Sequence, residues 1–344
     1  MKRRLFSVLV ALVFCLLILD KVFPLALPHN DQLFARIVVD DSGRPLRAFA
    51  DSSGVWRYPV TIENVSSLYI EALINYEDKW FWYHPGVNPL SLLRATWQNL
   101  SSGKIVSGGS TLSMQVARLL HPHARSLLGK SQQLLRTLQL EWRLSKAEIL
   151  TLYLNIAPFG GTIEGVQAAS FHYLNKSAAQ LSHAEAALLT VLPQAPTRLR
   201  PDIHPDLAEQ ARNKVLDRLA AHKIWSEQIT IDAKQEQVYA FRNQQPKIAP
   251  LLARRLLSHS DGQQAIKTTI NGELQGSLED YLQDFVQGLP NKNSAAILVA
   301  ENKTGAVKAY LGSANFLDDT RFGHVDMIQA KRSPGSTLKP FLFG

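Results

Sequence analysis

Residues 67–86, SLYIEALINYEDKWFWYHPG, place an acidic side chain on an otherwise apolar helical face. Apolar residues recur there at spacings of three and four, the period of one side of an α-helix, at Ile70, Leu73, Ile74 and Phe81. Glu77 falls on the same side. Because an ionised carboxylate is costly to bury without a partner, proteins keep one there mainly where a site uses it. Glu77 is therefore a candidate catalytic residue. The alternative is a helix end at which the apolar stripe meets solvent.

Other side chains with functional chemistry lie close to Glu77 in the sequence, namely Asp78, Phe81 and His84. They strengthen the interpretation of Glu77 as part of a site. The tripeptide His84-Pro85-Gly86 predicts a turn that ends the helix, because proline interrupts helical hydrogen bonding and glycine is favoured in tight turns.

A second cluster, GGSTLSMQVAR at 108–118, predicts a helix that begins after two glycines and Ser110. Free backbone N–H groups and the helix dipole at such a start favour an anion. Thr111, Gln115 and Arg118 are spaced to share one polar face. A hydroxyl, an amide and a guanidinium in a row can hold a sugar and a phosphate. The alternative is an ordinary capped amphipathic helix.

The composition narrows the classes of partner. The 344 residues carry a formal charge of +8 and a pI of about 9.5, which suits nucleic acid, anionic lipid or a phosphorylated substrate. No basic block interleaved with aromatic residues occurs, so we expect no nucleic-acid partner. The single cysteine, Cys15, excludes a disulfide within the chain.

The N-terminus carries Lys2, Arg3 and Arg4 before an apolar run at 5–19. Both a cleaved signal peptide and a retained signal anchor have this pattern, and the lack of a clear small-x-small cleavage site favours the anchor. The positive cluster then stays in the cytoplasm and the remainder is exported. We expect residues 1–27 to form a cytoplasmic tip and a transmembrane helix.

Helical periodicity from about residue 62 to 195 predicts a mainly α fold. Capping boxes mark two helix starts, at Ser145 with Glu148 and at Ser182 with Glu185. A polar, mixed-charge helix is predicted at 206–222. Period-two patterns predict a β-hairpin around Asp41-Ser42-Gly43 and another that joins 295–300 to 306–311.

Together these segments resemble the peptidoglycan glycosyltransferases of glycosyltransferase family 51. The matching segments follow the family's order over about 140 residues: EDKWFWYHPG at 77–86, GGSTLSMQVAR at 108–118, EILTLYLNIAPFGGTIEGVQAAS at 148–170 and LSHAEAALLTVLPQAP at 181–196. SPGSTLKP at 333–340 resembles the nucleophile motif of penicillin-binding transpeptidases. This order of domains is that of the class A penicillin-binding proteins.

The resemblance implies a lysozyme-like, mainly helical domain that partly rests on the membrane. Its activity would be that of an inverting hexosyltransferase, which polymerises lipid II into β-1,4-linked glycan and releases undecaprenyl pyrophosphate. Glu77 would be the general base, a residue often described as the proton donor. The residues that would bind or shape the substrate site are Asp78, Phe81, His84, Ser110, Thr111, Gln115, Arg118, Lys130 and Gln133. The implied partners are lipid II, the growing glycan, membrane lipid and other cell-wall synthesis proteins.

Some positions depart from the family's pattern. Arg118 replaces a lysine and keeps its charge, and Met114 replaces the first of two paired glutamines. Gly129 and Gln133 replace the arginine and second glutamate of the third motif, a change that resembles the 1C group. This leaves the usual role of the second carboxylate open, and with it a divalent cation (Mg²⁺ or Mn²⁺) at the pyrophosphate. For Glu141, on the same segment, a structural role is favoured over compensation.

Ser336 and Lys339 lie three positions apart, so helical geometry places both on one face, where an amine can activate a hydroxyl. The resemblance implies Ser336 as the acyl-ester nucleophile. No Ser-x-Asn or Lys-Thr-Gly motif follows Ser336 in this sequence, although the family's order of motifs requires both there. We therefore expect a truncated α/β transpeptidase domain, limited to its β-hairpin and first helix, that penicillin does not acylate.

These interpretations divide the chain into five expected segments. They are a membrane anchor at 1–27, a short extended or hairpin region at 28–60, a glycosyltransferase domain at 61–222, a linker at 223–289 and the start of a transpeptidase domain at 290–344. The expected location is the bacterial inner (plasma) membrane, crossed once, with the catalytic part in the periplasm.

Two rival functions are compatible with parts of the sequence. A catalytically degenerate scaffold that binds glycan or other cell-wall enzymes is favoured by Met114, by Gln133 and by the truncated end. A lytic hydrolase with a single acidic glutamate is disfavoured, because a hydrolase has no pyrophosphate to stabilise at the second motif. The glycosyltransferase explains more of the sequence than either rival.

Overall fold

The structure is a computed structural model. It describes residues 20–27, 36–51, 54–89, 94, 97, 101–102, 109–124, 126–238, 240, 248–260, 265–290, 292–331, 333 and 335–343. The chain divides into two compact units. The first contains the described residues of 1–35 and 50–243, and the second contains those of 36–49 and 244–344.

Helices provide most of the secondary structure, which confirms the mainly α expectation. Within the described residues the helices include α1 (Ser67–Glu77), α2 (Leu112–Leu120), α3 (Leu127–Arg143), α4 (Lys146–Ile156), α5 (Val166–Leu174), α6 (His183–Val191), α7 (Pro205–Ala221), α8 (Glu227–Gln235), α9 (Pro250–His259), α10 (Gly272–Gln287) and α11 (Lys339–Phe343). The strands there include β1 (Arg36–Val39), β2 (Pro45–Phe49), β3 (Pro158–Gly160), β4 (Ile163–Glu164), β5 (Ala265–Lys267), β6 (Ile297–Ala300) and β7 (Val307–Leu311).

The first unit is built from two packed groups of helices. In one, α6 packs against α1 and α7, and in the other α2 packs against α3 and α4. Tyr69 and Leu73 of α1, with Leu112 and Met114 of α2, are fully buried. Because burial of each large apolar side chain contributes roughly 1.5–3 kcal/mol, this core holds the ends of α1 and α2 in fixed positions.

Helix starts in the first unit follow the sequence closely. Ser145 and Ser182 form the predicted capping boxes, in which each serine accepts from the third helical N–H and the glutamate accepts from the serine N–H. The predicted polar helix at 206–222 is α7. These local signals succeed because the partners lie within one helical turn.

The prediction that Phe81 continues the helical face of Glu77 is wrong. Helix α1 ends at Glu77, and Asp78 leaves helical geometry with φ −155° and ψ 73°. Phe81 is fully buried in the turn that follows. The physical reason is that the side chain of Asp78 bonds to a distant backbone N–H, which the spacing of apolar residues does not reveal.

The segment at 20–27 lies along α3. Arg143 Nη2 donates to Asp20 Oδ2 at 2.8 Å, Gln139 Nε2 donates to Asp20 Oδ1 at 2.8 Å, and Arg136 Nη1 donates to the Phe23 carbonyl at 2.7 Å. The guanidinium of Arg143 lowers the pKa of Asp20. Residues 1–19 of the expected tip and transmembrane helix at 1–27 lie outside the described residues, and of the remainder only 20–22 are helical. No helix within the described part is long and apolar enough to cross a membrane.

The second unit contains both predicted hairpins, β1 with β2 and β6 with β7, each antiparallel. Strand β5 extends the first hairpin by pairing in parallel with β1. The hairpin expected in a separate region at 28–60 therefore belongs to the same unit as residues 244–344. Pairing over more than 200 positions of sequence leaves no local signal, because β1 and β5 meet only in the folded chain.

The expected linker at 223–289 differs from the structure, in which it contains α8, α9, β5 and α10. Leu252 and Ala253 of α9 are buried in a core with Val38, and Leu282 and Val286 of α10 are buried in another. Exposed glutamines such as Gln228, Gln283 and Gln287 make this stretch polar in sequence, although Gln275 of α10 is buried.

Candidate active site

Glu77 is the last residue of α1, is partly buried and has its carboxylate held by two amides. Gln115 of α2 donates from Nε2 to Glu77 Oε2 at 2.8 Å. Gln194, in the short 3₁₀ turn Leu192–Gln194 after α6, donates from Nε2 to Glu77 Oε1 at 2.7 Å. Three elements distant in sequence therefore converge on one carboxylate.

The core side of this carboxylate is lined by tyrosines. Burial raises the pKa of Tyr69 and of Tyr153, and the negative charge of Glu77 raises both further. Both phenols therefore stay protonated near the carboxylate. The Tyr69 hydroxyl has no hydrogen-bond partner among the described residues.

Asp78 joins the first predicted motif to the second. It is buried, with Oδ1 2.9 Å from His84 Nε2, and its Oδ2 accepts from the backbone N–H of Leu112 at 3.0 Å. Leu112 is the first residue of α2, where a negative charge is stabilised by the helix dipole. The turn that follows Glu77 thus has three buried side chains, those of Asp78, Phe81 and His84.

Gly86 closes this turn in a left-handed conformation, with φ of +81°. Its carbonyl accepts a hydrogen bond from the Thr111 hydroxyl. A Cβ atom at Gly86 would lie 2.6 Å from Glu141 Cγ and 2.8 Å from Thr137 Cγ2, both closer than ordinary contact. The glycine is thus required by backbone conformation and by close packing against α3.

Gly86→Ala is expected to lower the free energy of unfolding by about 3 kcal/mol, since it combines a left-handed alanine with overpacking. Gly54→Ala is the matched control, because Gly54 has φ of +77° but no atom within 4 Å of the place that a Cβ would occupy. The control should cost only about 1 kcal/mol. Denaturant unfolding of both variants measures the difference, and equal losses would contradict the packing argument.

The predicted polar face of Thr111, Gln115 and Arg118 is wrong for Thr111. Thr111 precedes α2 as its N-cap, is buried, and accepts from the Met114 N–H at 3.2 Å. Helical spacing does not apply to a residue outside the helix. Gln115 points its amide at Glu77, and Arg118 is exposed.

Lys130 provides a cation beside the start of α2. Its Nζ donates to Ser110 Oγ at 3.2 Å and to Gln133 Oε1 at 3.0 Å. Burial lowers the pKa of Lys130, and the positive charge of Arg118 lowers it further. Because burial and the charge of Arg118 disfavour the charged form of Lys130, an anion bound beside Lys130 would be favoured.

Gln133, which departs from the family's glutamate, has a role that only an amide can fill. It is buried, donates from Nε2 to the Met114 carbonyl at 2.6 Å and accepts from Lys130. A carboxylate at this position would turn an acceptor toward the Met114 carbonyl. The amide therefore ties α3 to α2 and orients Lys130.

Gln133→Glu is expected to lower the free energy of unfolding by about 1–3 kcal/mol, because the Met114 carbonyl loses its donor and faces a negative oxygen. Gln132→Glu, the exposed neighbour, is the control and should change stability by less than about 0.5 kcal/mol. Chemical unfolding of both variants is the measurement. A Gln133→Glu variant as stable as the control would contradict the role of the amide.

Glu141 lies behind the turn at Gly86 and has its own partners. It accepts from the Ser113 hydroxyl, and its Oε1 lies 2.7 Å from Lys146 Nζ. The same ammonium lies 4.7 Å from the centre of the Phe81 ring. These contacts support the structural role over compensation for the missing second glutamate.

The described residues contain no group of three histidine, cysteine or acidic side chains that could hold a metal ion. The groups at this place are the Lys130 ammonium and the two oxygens that accept from it, the Ser110 hydroxyl and the Gln133 amide oxygen, with no carboxylate among them. Mg²⁺ and Mn²⁺ prefer carboxylate and other oxygen ligands, so this set fits an anion and does not fit a divalent cation.

Gln194 is the residue of this site that sequence reasoning missed. It lies 117 positions from Glu77, within the LPQAP segment, whose sequence predicts only the exit of a helix. An exposed glutamine in a turn has no distinguishing pattern, so only its position in the fold identifies it.

Ser336 and Lys339 lie in the second unit. The 3₁₀ turn Gly335–Leu338 runs directly into α11, and both side chains are exposed. The turn and the short helix agree with the helical spacing on which the prediction is based.

Known proteins match this chain in sequence. Penicillin-binding protein 1C of Escherichia coli (strain K12) is 54% identical over 325 residues, which cover 94% of this chain and 42% of that protein. Penicillin-binding protein 1F of Bacillus subtilis (strain 168) is 28% identical over 324 residues, which cover 88% of this chain and 44% of that protein. This chain thus spans about two fifths of the length of these relatives.

A solved structure of penicillin-binding protein 1A from Haemophilus influenzae also matches. The match covers 79% of this chain and 37% of that one, with 18% sequence identity and a TM-score of 0.35. These values are too low to support an argument about the fold.

The sequence profile of the Transglycosylase family matches residues 42–220, more than half of the chain. The matched stretch contains Glu77, the helix α2 with Gln115, and Lys130. The relatives include a penicillin-binding protein 1C, the group that the third-motif change resembles. The resemblance drawn from the motifs is therefore confirmed, and the chain belongs to the transglycosylase family.

Proposed function

We propose that this chain is a peptidoglycan glycosyltransferase that polymerises lipid II into β-1,4-linked glycan and releases undecaprenyl pyrophosphate. The observation that carries the proposal is that α2 connects a held carboxylate to a cationic site. Gln115 of α2 bonds Glu77, while Ser110, just before α2, bonds Lys130. A base beside Gln115 and an anion site beside the start of the same short helix suit glycosyl transfer from a pyrophosphate donor.

In the proposed reaction Glu77 acts as the general base. Its carboxylate takes the proton from the 4-hydroxyl of the acceptor GlcNAc as that oxygen attacks the anomeric carbon of the donor MurNAc. The bond from that carbon to the pyrophosphate oxygen breaks, and the bonding electrons leave with the pyrophosphate. One displacement inverts the α-linked donor to a β-1,4 product.

The leaving pyrophosphate gains negative charge in the transition state. Arg118 and Lys130 are the cations that would stabilise it, together with the hydroxyl of Ser110. Arg118 is exposed and so is accessible to an anion. Burial lowers the pKa of Lys130, and a bound anion would stabilise the positive charge that burial disfavours. Gln133 would act by orienting Lys130.

The setting of the reaction belongs to the same proposal. The basic N-terminus and the apolar run at 5–19 favour a single-pass anchor in the inner membrane, with a lysozyme-like catalytic part in the periplasm. Membrane lipid, the growing glycan and other cell-wall synthesis proteins are the proposed partners. The contacts of Arg136, Gln139 and Arg143 with the segment at 20–27 would hold α3 close to that anchor.

Purified chain in detergent, supplied with lipid II, tests the proposal. The expected product is a glycan polymer that a muramidase, an enzyme specific for β-1,4 linkages, degrades to disaccharide units. Lys130→Met should lower the rate about tenfold or more, and Lys234→Met is a control, since Lys234 is a lysine of α8 paired with Asp217. A folded preparation that binds lipid II but makes no polymer would contradict the proposed enzyme activity and favour the catalytically degenerate scaffold.

We also propose Ser336 and Lys339 as the nucleophile and neighbouring amine of a penicillin-binding motif. The exposed hydroxyl and amine, on consecutive helical turns, support these roles. Fluorescent penicillin, added to the natural chain and to Ser336→Ala, tests these roles. Label that Ser336→Ala abolishes would support them, and label that persists in Ser336→Ala would exclude Ser336 as the nucleophile.

A further inference from the structure

We propose that Gln194 is a positioning residue for the reaction, which together with Gln115 fixes the carboxylate of Glu77 for proton transfer. The inference rests on the proposed function of Glu77 as the base. It assigns a role to the turn after α6, to which neither the motifs nor the family resemblance assigns a functional residue.

The contacts of Gln194 determine where its amide points. Its Nε2 donates to Glu77 Oε1 at 2.7 Å, opposite the donor from Gln115 on Oε2. The phenol of Tyr76, the neighbour of Glu77, lies beside the same side chain. The Tyr76 ring in turn lies 4.8 Å below the guanidinium of Arg218 on α7. The hydrogen bond to Glu77 therefore fixes the direction of the Gln194 amide despite its exposure.

Two neutral amides suit a general base. An ionised carboxylate has about four lone-pair positions, so one donor on each oxygen leaves positions for the acceptor hydroxyl. The two donors restrict rotation of the carboxylate. A lysine or arginine in their place would pair with the carboxylate by full charge and make it a weaker base.

A positioning role differs from substrate binding in its kinetic signature. If Gln194 acts through Glu77, its loss should lower kcat and leave KM for lipid II nearly unchanged, because only the transition state uses the oriented base. If Gln194 instead binds a sugar directly, its loss should raise KM. The exposed position of Gln194 makes this comparison necessary.

The experiment measures kcat and KM for lipid II polymerisation in detergent. Gln194→Leu should lower kcat about tenfold, the loss expected for a hydrogen bond to a charged group. Gln194→Glu should lower it about a hundredfold, since a second carboxylate repels the first. Gln194→His, which keeps an N–H donor of similar reach, should recover most of the rate at about pH 8, where a histidine of ordinary pKa is neutral. The control Gln228→Leu removes an exposed glutamine that donates to Asp232 at 2.9 Å, and should leave both constants unchanged.

A loss of kcat in Gln194→Leu with recovery in Gln194→His supports the proposal. An unchanged kcat in Gln194→Leu, or a rise in KM alone, would overturn it while the proposed function stands. If the natural chain makes no polymer, the proposed function fails. A double-mutant cycle, measured by thermal unfolding, then tests whether Gln194 contacts Glu77. Gln194→Leu should lower the unfolding midpoint by about 2 °C, but by less than about 1 °C beside Glu77→Ala. Equal shifts in both backgrounds would overturn the inference.

Discussion

Glu77→Gln is expected to lower the rate of glycan polymerisation about a thousandfold, within the range that a general base contributes. The substitution preserves the size and shape of the side chain but removes the group that accepts the proton. The amide also offers N–H donors to Gln115 and Gln194, whose own N–H groups now face it. Both effects concern the group that takes the proton and not the groups that bind lipid II. We therefore expect the substitution to lower kcat and to leave lipid II binding unchanged.

Glu71→Gln is the matched control for this variant. Glu71 lies on the same helix, is exposed, and accepts from Trp225 Nε1 at 2.6 Å, a bond that glutamine can also accept. It should leave the rate within about twofold, since exposed substitutions away from a site have small effects. Polymerisation and lipid II binding are measured for both variants. A Glu77→Gln chain that polymerises as fast as Glu71→Gln would exclude Glu77 as the base.

Asp78→Ala is expected to lower the free energy of unfolding by about 3 kcal/mol, the typical cost of removing one partner from a buried polar network. Its carboxylate serves both His84 and the Leu112 N–H, so alanine leaves two buried groups without an acceptor. Asp78→Asn should cost about 1 kcal/mol, because its carbonyl oxygen can still accept from Leu112. The activity should fall in parallel, since the start of α2 also positions Gln115.

Asp217→Ala is the control for burial. Asp217 pairs with Lys234, but its side chain is 65% exposed, and exposed ion pairs contribute roughly 0–1 kcal/mol. Denaturant unfolding should therefore separate the two alanine variants by about 2 kcal/mol or more. Similar losses would show that the contact of Asp78 with α2 is not important for stability.

Several features of the fold were predictable because their causes are local. The capping boxes at Ser145 and Ser182, helix α7 and both hairpins all depend on residues within a few positions of one another. Glu77 was identifiable for a related reason, since a carboxylate in an apolar helical pattern is unusual in itself. Its neighbours Asp78 and His84 were found by proximity in sequence.

Predictions that depended on extending a local pattern failed. Helical spacing placed Phe81 on the face of Glu77 and Thr111 on the face of Arg118, but α1 ends before the first and α2 begins after the second. In both places a side chain at the helix end makes a hydrogen bond outside its own helix. Asp78 accepts from the N–H of Leu112, and Thr111 donates to the carbonyl of Gly86. Periodicity counts positions and does not detect such bonds.

The role of Gln133 likewise depends on hydrogen bonds that the sequence pattern does not reveal. The sequence raised the question of whether a second carboxylate is missing, and no spacing rule could answer it. In the structure the amide both donates to Met114 and accepts from Lys130. Gln133 lacks the charge of the family's glutamate, but its amide N–H and its amide oxygen each have a specific hydrogen-bond partner.

The sequence by itself determined the mainly helical class, the family, the starts of the main helices and the candidate base at Glu77. These follow from composition, from spacing and from motifs, each of which acts over a short stretch of chain. Only the tertiary structure decided which groups hold that base. Gln115 and Gln194 lie 38 and 117 positions from Glu77, and their amides reach it because the packing of α1 against α6, and the bond from Asp78 to α2, bring these elements together.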